Sequence, residues 1–114
     1  MNYQETINAA LAVVQGERND QYGSFEDMME RTALVWSGVL NTPVTGEQVA
    51  LCMVGLKLVR ADSGPQVEDS FVDGVGYFAM ASQIVDTKTK QGEKVARRTS
   101  LGYDNVTTEA INDR

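Results

Sequence analysis

The stretch "MVGLKLVRADSGPQVEDSFVDGVGYFAMA", residues 53–81, decides the fold because it combines two apolar, helix-like runs, one break and four charges. Lys57 and Arg60 lie three positions apart in the first run. Asp69 and Asp73 lie four positions apart in the second, so each couple shares one helix face. The intervening "DSGPQ" is typical of a tight turn. The stretch therefore predicts an antiparallel pair of helices with charges on facing sides.

The register of this hairpin predicts which charges meet. Residues at equal distance from a midpoint near 64 or 65 lie level with each other, so Arg60 is expected beside Asp69 and Lys57 beside Asp73. One interpretation is a structural ladder of ion pairs, with Asp69 complementing the helix N-terminal dipole. The other is a mixed-charge pocket, in which the cations hold phosphate oxygens and the carboxylates hold Mg²⁺.

The rest of the chain predicts two more helices and no convincing strand, which makes the fold class all-α. Apolar spacing and N-cap residues predict a first helix that frays near residues 16–23, a second after Ser24, a third over 46–61 after Thr45, and a fourth over about 67–88. We expect a four-helix bundle over residues 1–90. Residues 91–114 are expected to form a polar, partly ordered C-terminal arm used in self-association, or else a floppy tail.

The apolar lines of the helices predict the core. On the first helix the line contains Ile7, Leu11 and Val14, and on the fourth it contains Phe71, Val75 and Phe78, among others. The single cysteine, Cys52, is expected to be a buried small apolar side chain.

Composition excludes several kinds of chemistry. The chain has 114 residues, enough for one domain, and no histidine, so histidine-based triads and zinc sites are excluded. One cysteine allows no internal disulfide and suits a reducing cytosol. The N-terminus lacks a basic region and carries Glu5, and no apolar run is long enough to span a bilayer. We therefore expect a cytoplasmic protein with no membrane partner.

Charge is distributed unevenly. Residues 1–85 contain four cationic and eleven anionic side chains, whereas residues 86–114 contain six and five. An acidic body argues against duplex nucleic acid as a partner. It suits a hard cation, a basic protein or simple solubility.

Other side chains are candidates for the same pocket. Glu26 and Glu30 share one face of the second helix and are candidate metal ligands, although a solvated helix face explains such a pair equally well. In "GERNDQYGSF", Arg18 is a candidate phosphate ligand and Tyr22 a base-stacking residue, unless both simply belong to a turn that ends the first helix.

Two further aromatic residues have alternative roles. Trp36 is expected in the core or an interface, with stacking on a base as the alternative. Tyr77 lies one turn after Asp73, where its hydroxyl can reach that carboxylate or a partner at the edge of the core.

Four motifs together resemble a family of small helical phage and prophage proteins. They are "ERNDQYGSF", "LVW", "EQVALCMVGLKLVR" and "DSFVDGVGYFAM", which follow the pattern E-R-x-x-x-Y-G, a Trp, K-x-x-R and D-x-x-x-D-x-x-G-Y. The resemblance covers about residues 14–82. The family is distantly similar to the all-α, MazG-like nucleoside triphosphate pyrophosphohydrolases, which use Mg²⁺ and Glu/Asp couples on two helices.

This resemblance implies a function and roles for individual residues. It implies nucleotide binding and Mg²⁺-dependent release of pyrophosphate from a nucleoside triphosphate, with Glu30, Asp73 and Lys57 as catalytic residues. The metal ligands would be Glu26, Glu30, Asp69 and Asp73, and the substrate would contact Arg18, Tyr22, Trp36, Lys57, Arg60 and Tyr77. It also implies a homo-oligomer.

Departures from the MazG-like motifs leave alternatives open. Glu26 and Glu30 are one position further apart than the motif's E-x-x-E, and Asp69 with Asp73 gives D-x-x-x-D where the motif has E-x-x-D. A shift of one residue turns a side chain by about 100° around a helix. Nucleotide binding without hydrolysis is therefore one alternative. Another is a phage-encoded acidic interaction protein that inhibits a host enzyme or defence system, or sequesters a signalling nucleotide.

Overall fold

A computed structural model describes residues 1–16 and 24–99 of the chain, with side chains up to residue 92. This part of the protein contains four helices and no strand, which confirms the all-α, four-helix prediction. They are α1, Tyr3–Gln15; α2, Phe25–Leu40; α3, Gly46–Ala61; and α4, Val67–Thr99.

The N-terminal ends of α2 and α3 begin where the sequence predicts them. The Ser24 side chain accepts a hydrogen bond from the backbone N–H of Asp27 at 3.1 Å. At the start of α3 the Thr45 hydroxyl accepts from the Gln48 N–H at 3.1 Å, and the Gln48 side chain accepts from the Thr45 N–H at 3.0 Å. This reciprocal capping box satisfies two backbone donors that a helix end otherwise leaves unpaired.

The turn between α2 and α3 is held by one serine. The Ser37 hydroxyl donates to the carbonyl of Ala33 at 2.7 Å and accepts from the backbone N–H of Val44 at 2.9 Å. Asn41 ends α2 in the left-handed conformation, with φ 54°, which asparagine tolerates better than most residues. These contacts fix the direction in which α3 leaves α2.

The core lies between α2, α3 and the first half of α4. It is formed by the buried side chains of Phe25, Met29, Ala33, Val49, Ala50, Met80, Ala81 and Ile84. The side chains of Val14, Met28, Trp36, Val44 and Tyr77 pack against it from outside. Tyr77 meets Phe25 edge-on, with ring centroids 5.5 Å apart, a geometry that aromatic pairs favour.

The predicted apolar line of α1 is only partly buried. Ala10 is buried and Val14 packs against the core, but Ile7 and Leu11 are about half exposed. The ammonium group of Met1 donates to the Glu68 carboxylate at 3.0 Å. This hydrogen bond and the negative charge of Glu68 raise the pKa of the Met1 amine.

The predicted apolar line of α4 is wrong about the face that is buried. Phe71, Val75 and Phe78 are 53%, 39% and 63% exposed, whereas Val72 and Met80 are buried. Both faces of this part of α4 are apolar, and only one of them can pack against the core. Gly76 lies on the buried face, where a Cβ would be 3.6 Å from Val14. The smaller face packs against the other helices, and the more bulky one stays outside.

The prediction that Cys52 is buried is also wrong, because its side chain is exposed. The helix that carries it, α3, buries Gly46, Val49 and Ala50 and turns Cys52 away from them. Burial of that cysteine would require a second surface against α3.

The fourth helix is longer than predicted. It continues past residue 88 to Thr99, through a segment rich in Lys, Gln, Glu and Arg, which are good helix formers without an apolar period. Asp86 and Lys90 form an i,i+4 ion pair of 3.0 Å there. Packing divides the chain into two units, Met1–Ile84 and Val85–Arg114. The last part of the predicted C-terminal arm, residues 100–114, lies outside the described residues.

No helix in the described part of the chain is long and apolar enough to cross a membrane.

Candidate functional site

The hairpin of α3 and α4 brings Lys57 and Asp73 into contact, as its register predicts. Lys57 Nζ lies 2.9 Å from Asp73 Oδ2, and the two side chains are only 15% and 29% exposed. Both residues face the partner helix, because each lies on the side of its own helix that packs. The predicted pairing is therefore confirmed.

Towards the turn, the two helices open into a small cleft, which we call the hairpin cleft. It is lined by Lys57, Arg60, Ser63, Pro65, Gln66, Asp69 and Ser70, and its volume is about 240 Å³. Arg60 and Asp69 thus lie in the same cleft. However, in the part of the chain that the structure describes, no carboxylate lies within 4.0 Å of the Arg60 guanidinium.

The first turn of α4 forms one wall of the hairpin cleft. Ser70 is buried, and its hydroxyl donates to the carbonyl of Gln66 at 3.1 Å. Glu68 and Asp69 occupy the first turn, where the helix dipole favours negative charge. Asp69 therefore complements the helix end and also borders the cleft.

Four residues of the hairpin cleft are not predicted from the sequence: Ser63, Pro65, Gln66 and Ser70. The first three belong to "DSGPQ", a pattern that predicts a turn but does not by itself indicate a site. When a tight turn joins two helices, its polar side chains lie beside any cleft between the two helix ends.

The predicted metal ligands do not form one cluster. Glu30 lies against the start of α3, where a Cβ added to Gly46 would be 2.5 Å from Glu30 Oε1, and Asp73 is bound to Lys57. Among the side chains that the structure describes, those of residues 1–16 and 24–92, no three His, Cys, Asp or Glu are grouped so that they could hold a metal ion. Mg²⁺ often binds through one or two carboxylates plus the phosphates of a ligand. A site using Glu26, Glu30, Asp69 and Asp73 thus stays a prediction that requires a phosphate ligand.

The aromatic candidates are distributed differently from the charged ones. Trp36 and Tyr77 pack against the core, as the structural interpretation of both predicts. The proposed hydrogen bond from Tyr77 to Asp73 is not among the side-chain hydrogen bonds of the described residues. Arg18 and Tyr22 lie outside those residues.

A second opening runs along the outer side of the same hairpin, and we call it the apolar groove. Its volume is about 440 Å³, and it is lined by Val54, Leu58, Ala61, Phe71, Val75 and Phe78, together with Lys57, Ser70 and Gly74. Lys57 and Ser70 line both openings. The side of the hairpin therefore changes from polar at the turn to apolar further along.

Comparison with known proteins identifies relatives of the segment that carries these features. The profile of the family described as "Domain of unknown function (DUF6378)" matches residues 5–85, most of the chain. The chain belongs to this family. The match includes α1, α2, α3 and the part of α4 that lines the hairpin cleft and the apolar groove.

Two phage proteins are similar to the DUF6378 chain over most of its length. The Gene 55 protein of Mycobacterium phage D29 is 30% identical over 80 residues, which are 70% of this chain and 53% of that protein. The Gene 55 protein of Mycobacterium phage L5 is 30% identical over 82 residues, 68% of this chain and 51% of that protein. The chain thus spans about half the length of these curated relatives. No solved structure matches it.

These comparisons confirm the coarser part of the predicted resemblance, a family of small helical proteins with phage relatives. They contain no link to the MazG-like pyrophosphohydrolases.

Proposed function

We propose that this DUF6378 protein binds a phosphorylated small molecule in the hairpin cleft, with nucleotides as the leading class. The observation that carries the proposal is Arg60, a cation bordering a polar cleft without an ion pair to any described carboxylate. A guanidinium presents a planar fork of donors that matches two phosphate oxygens. Lys57 adds a second positive charge at the same cleft.

The size of the hairpin cleft supports the phosphate end of such a ligand. Pockets that enclose a whole drug-sized molecule have volumes of about 300–1,000 Å³. The cleft, at about 240 Å³, is smaller, so it suits the phosphates, with the remainder of the ligand outside. Ser63 and Gln66 supply neutral side-chain donors at its rim.

Magnesium and hydrolysis form the finer part of the proposal. Asp69 borders the cleft, so it is the carboxylate best placed to share a Mg²⁺ ion with the phosphates of a bound ligand. Since the described carboxylates do not group into a metal site of their own, binding is the main proposal. Turnover to a nucleoside monophosphate and pyrophosphate is a separate outcome of the same experiment.

The test is calorimetric titration of the protein with ATP, GTP, CTP, UTP, the deoxynucleotides, pyrophosphate and inorganic phosphate, with and without Mg²⁺. We expect at least one phosphorylated ligand to bind, and Arg60→Gln to weaken it by about 10- to 100-fold, because charge-assisted hydrogen bonds contribute about 1.5–3 kcal/mol each. Lys88→Gln removes a cation from α4 outside the cleft and is the control. Equal loss in both variants would indicate a general charge effect, and no binding by any ligand would refute the proposal.

Product analysis of the same mixtures separates binding from catalysis. Release of pyrophosphate that requires Mg²⁺ and is lost in Asp69→Asn supports a pyrophosphohydrolase. Binding without product supports the alternative in which the protein sequesters a nucleotide.

The second candidate function is an acidic interaction protein acting on a host enzyme or defence complex. It is favoured by the net charge of −6 together with exposed apolar side chains on α2, of which Leu34 and Val39 are 74% and 77% exposed. If no nucleotide binds, recovery of a single stoichiometric partner, reconstituted from purified components, would support this function instead.

A further inference from the structure

The middle of α3 is unusually apolar for a helix at the surface of a small domain. Apart from Glu47, Gln48, Lys57 and Arg60, its sequence, "GEQVALCMVGLKLVRA", contains no charged or amide side chain, and its apolar residues occupy opposite sides of the helix. One side packs against the core through Val49 and Ala50. The opposite side exposes Leu58 by 69% and Val59 by 73%. This exposed apolar side of α3 is therefore available to a partner surface.

The neighbouring surface of α4 has the same character. Phe71, Val75 and Phe78 recur at helical spacing and form one wall of the apolar groove, and Leu58 and Val54 line it from α3. Isolated exposed apolar residues are ordinary, but a contiguous apolar surface on a small domain marks an interaction site. The groove is therefore a candidate interface rather than an accident of composition.

We propose that the apolar groove is occupied by a second copy of this chain, so that the hairpins of two protomers pack against each other. Charge favours this occupant. The chain carries a net charge of −6, so two copies repel wherever carboxylates face each other. Among the described residues that line the groove, only Lys57 is charged, and it is paired with Asp73. Two copies can meet there without opposing like charges, whereas a basic partner would be drawn to carboxylates elsewhere.

The available area also fits a dimer. From their exposed fractions, the groove residues Leu58, Phe71, Val75 and Phe78 present on the order of 400 Å² of surface, which would supply about half of such an interface as its apolar centre. A specific interface buries about 800 Å² on each partner, of which an apolar centre and a polar rim are both part. The two phenylalanines supply large rings of the kind that dominate binding energy at such centres. A symmetric pairing would place the same groove on both protomers.

Analytical ultracentrifugation of the full chain without ligand tests the proposal independently of the nucleotide site. We expect the wild type to sediment with twice the 12.5 kDa chain mass at high concentration and to dissociate on dilution. Leu58→Glu and Phe78→Glu should each raise the dissociation constant at least tenfold. Both side chains are exposed in the single chain, so the helical circular dichroism spectrum should not change.

Leu34→Glu is the matched control. Leu34 is 74% exposed on α2, similar to Leu58, but does not line the groove, so this variant should remain dimeric. A monomeric wild type at every concentration would overturn the proposal. So would dissociation by Leu34→Glu with Leu58→Glu unaffected, because the interface would then lie on α2.

Amide hydrogen exchange gives a second readout that needs no variant. Dilution of the wild type should speed exchange in residues 51–58 and 71–78, because dissociation exposes these segments. Exchange that is independent of protein concentration contradicts the dimer. Exchange that slows only on addition of a nucleotide would assign the groove to the ligand and likewise contradict it.

Discussion

Lys57 and Asp73 are equidistant in sequence from Pro65 and are joined by an ion pair of 2.9 Å. Both side chains lie largely between α3 and α4, and neither is shielded completely from water. Their pairing leaves Arg60, one turn nearer the hairpin end, as the cation of the cleft that has no ion pair with a described carboxylate. The same hairpin register thus produces a structural contact and, beside it, a candidate anion site.

The ion pair predicts that neutralising Asp73 destabilises the fold. Asp73→Asn leaves Lys57 charged, 85% shielded and without its carboxylate, so we expect a loss of about 1–3 kcal/mol in the free energy of unfolding. The measurement is urea unfolding at one fixed protein concentration.

The control for this loss is the exposed pair in the C-terminal half of α4. Asp86 and Lys90 are 52% and 70% exposed at a similar distance, 3.0 Å. Asp86→Asn should cost no more than about 0.5 kcal/mol, since exposed i,i+4 pairs contribute little. Equal effects of the two substitutions would mean that Lys57 and Asp73 are effectively solvated.

The contact between Glu30 and Gly46 predicts opposite effects for two alanine substitutions in one helix. At Gly46, a Cβ would lie 2.5 Å from Glu30 Oε1 and 3.3 Å from the Glu30 backbone nitrogen. At Gly55, a Cβ would have no atom within 4 Å. The Glu30 carboxylate is the exposed end of a flexible side chain, whereas its backbone nitrogen is fixed in α2. We therefore expect Gly46→Ala to destabilise by about 1 kcal/mol through overpacking, and Gly55→Ala to stabilise by about 0.5–1 kcal/mol through helix propensity.

The double variant Gly46→Ala with Glu30→Ala locates the origin of the effect. Removing the carboxylate clears the closest contact but not the backbone one, so thermal unfolding should show partial recovery. No recovery would place the whole cost on the backbone of α2.

Local signals in the sequence were sufficient to predict the helix starts and the hairpin register. Ser24 and Thr45 cap α2 and α3 as expected, because an N-cap acts on donors only two or three residues away. The pairing of Lys57 with Asp73 follows from a short turn, which restricts two helices to an antiparallel arrangement. These predictions depend on few residues, all close in sequence.

The choice of buried face was not predictable in this way. Two apolar stripes run along α4, and periodicity detects both without deciding which faces the core. The structure buries Val72 and Met80 and exposes Phe71 and Phe78. The prediction for Cys52 fails for a related reason, since an apolar position on α3 does not by itself imply burial within one chain. In the proposed dimer, one apolar stripe of α4 packs against the core of its own chain and the other packs against the second protomer.

The capping box of α3 predicts a measurable difference between two N-caps. Thr45 takes part in two reciprocal bonds with Gln48, whereas the Ser24 side chain accepts one bond in the first turn of α2, from the Asp27 N–H. Thr45→Ala should destabilise by about 1–2 kcal/mol, near the upper end of the usual cap effect. Ser24→Ala should cost less in the same urea titration. Gln48→Ala tests the second arm of the box, and a variant as stable as wild type would show that only the threonine contributes.

The turn that closes the hairpin predicts a coupled effect on stability and binding. Gly64 has φ +100°, a conformation that side chains with a Cβ rarely adopt, although there is open space around it. Gly64→Ala should therefore destabilise by about 1–2 kcal/mol through backbone strain alone. Gly38→Ala, in a helix and also in open space, is the control and should not destabilise.

The same substitution also predicts an effect on binding. Because Ser63 and Pro65 flank Gly64 and line the hairpin cleft, a backbone that moves to relieve the strain would also displace the cleft wall. Any ligand of the cleft should then bind Gly64→Ala more weakly than Gly38→Ala when compared by calorimetry under conditions in which both variants are folded. A Gly64→Ala variant with wild-type stability and affinity would show that the turn can be rebuilt without cost and does not shape the site.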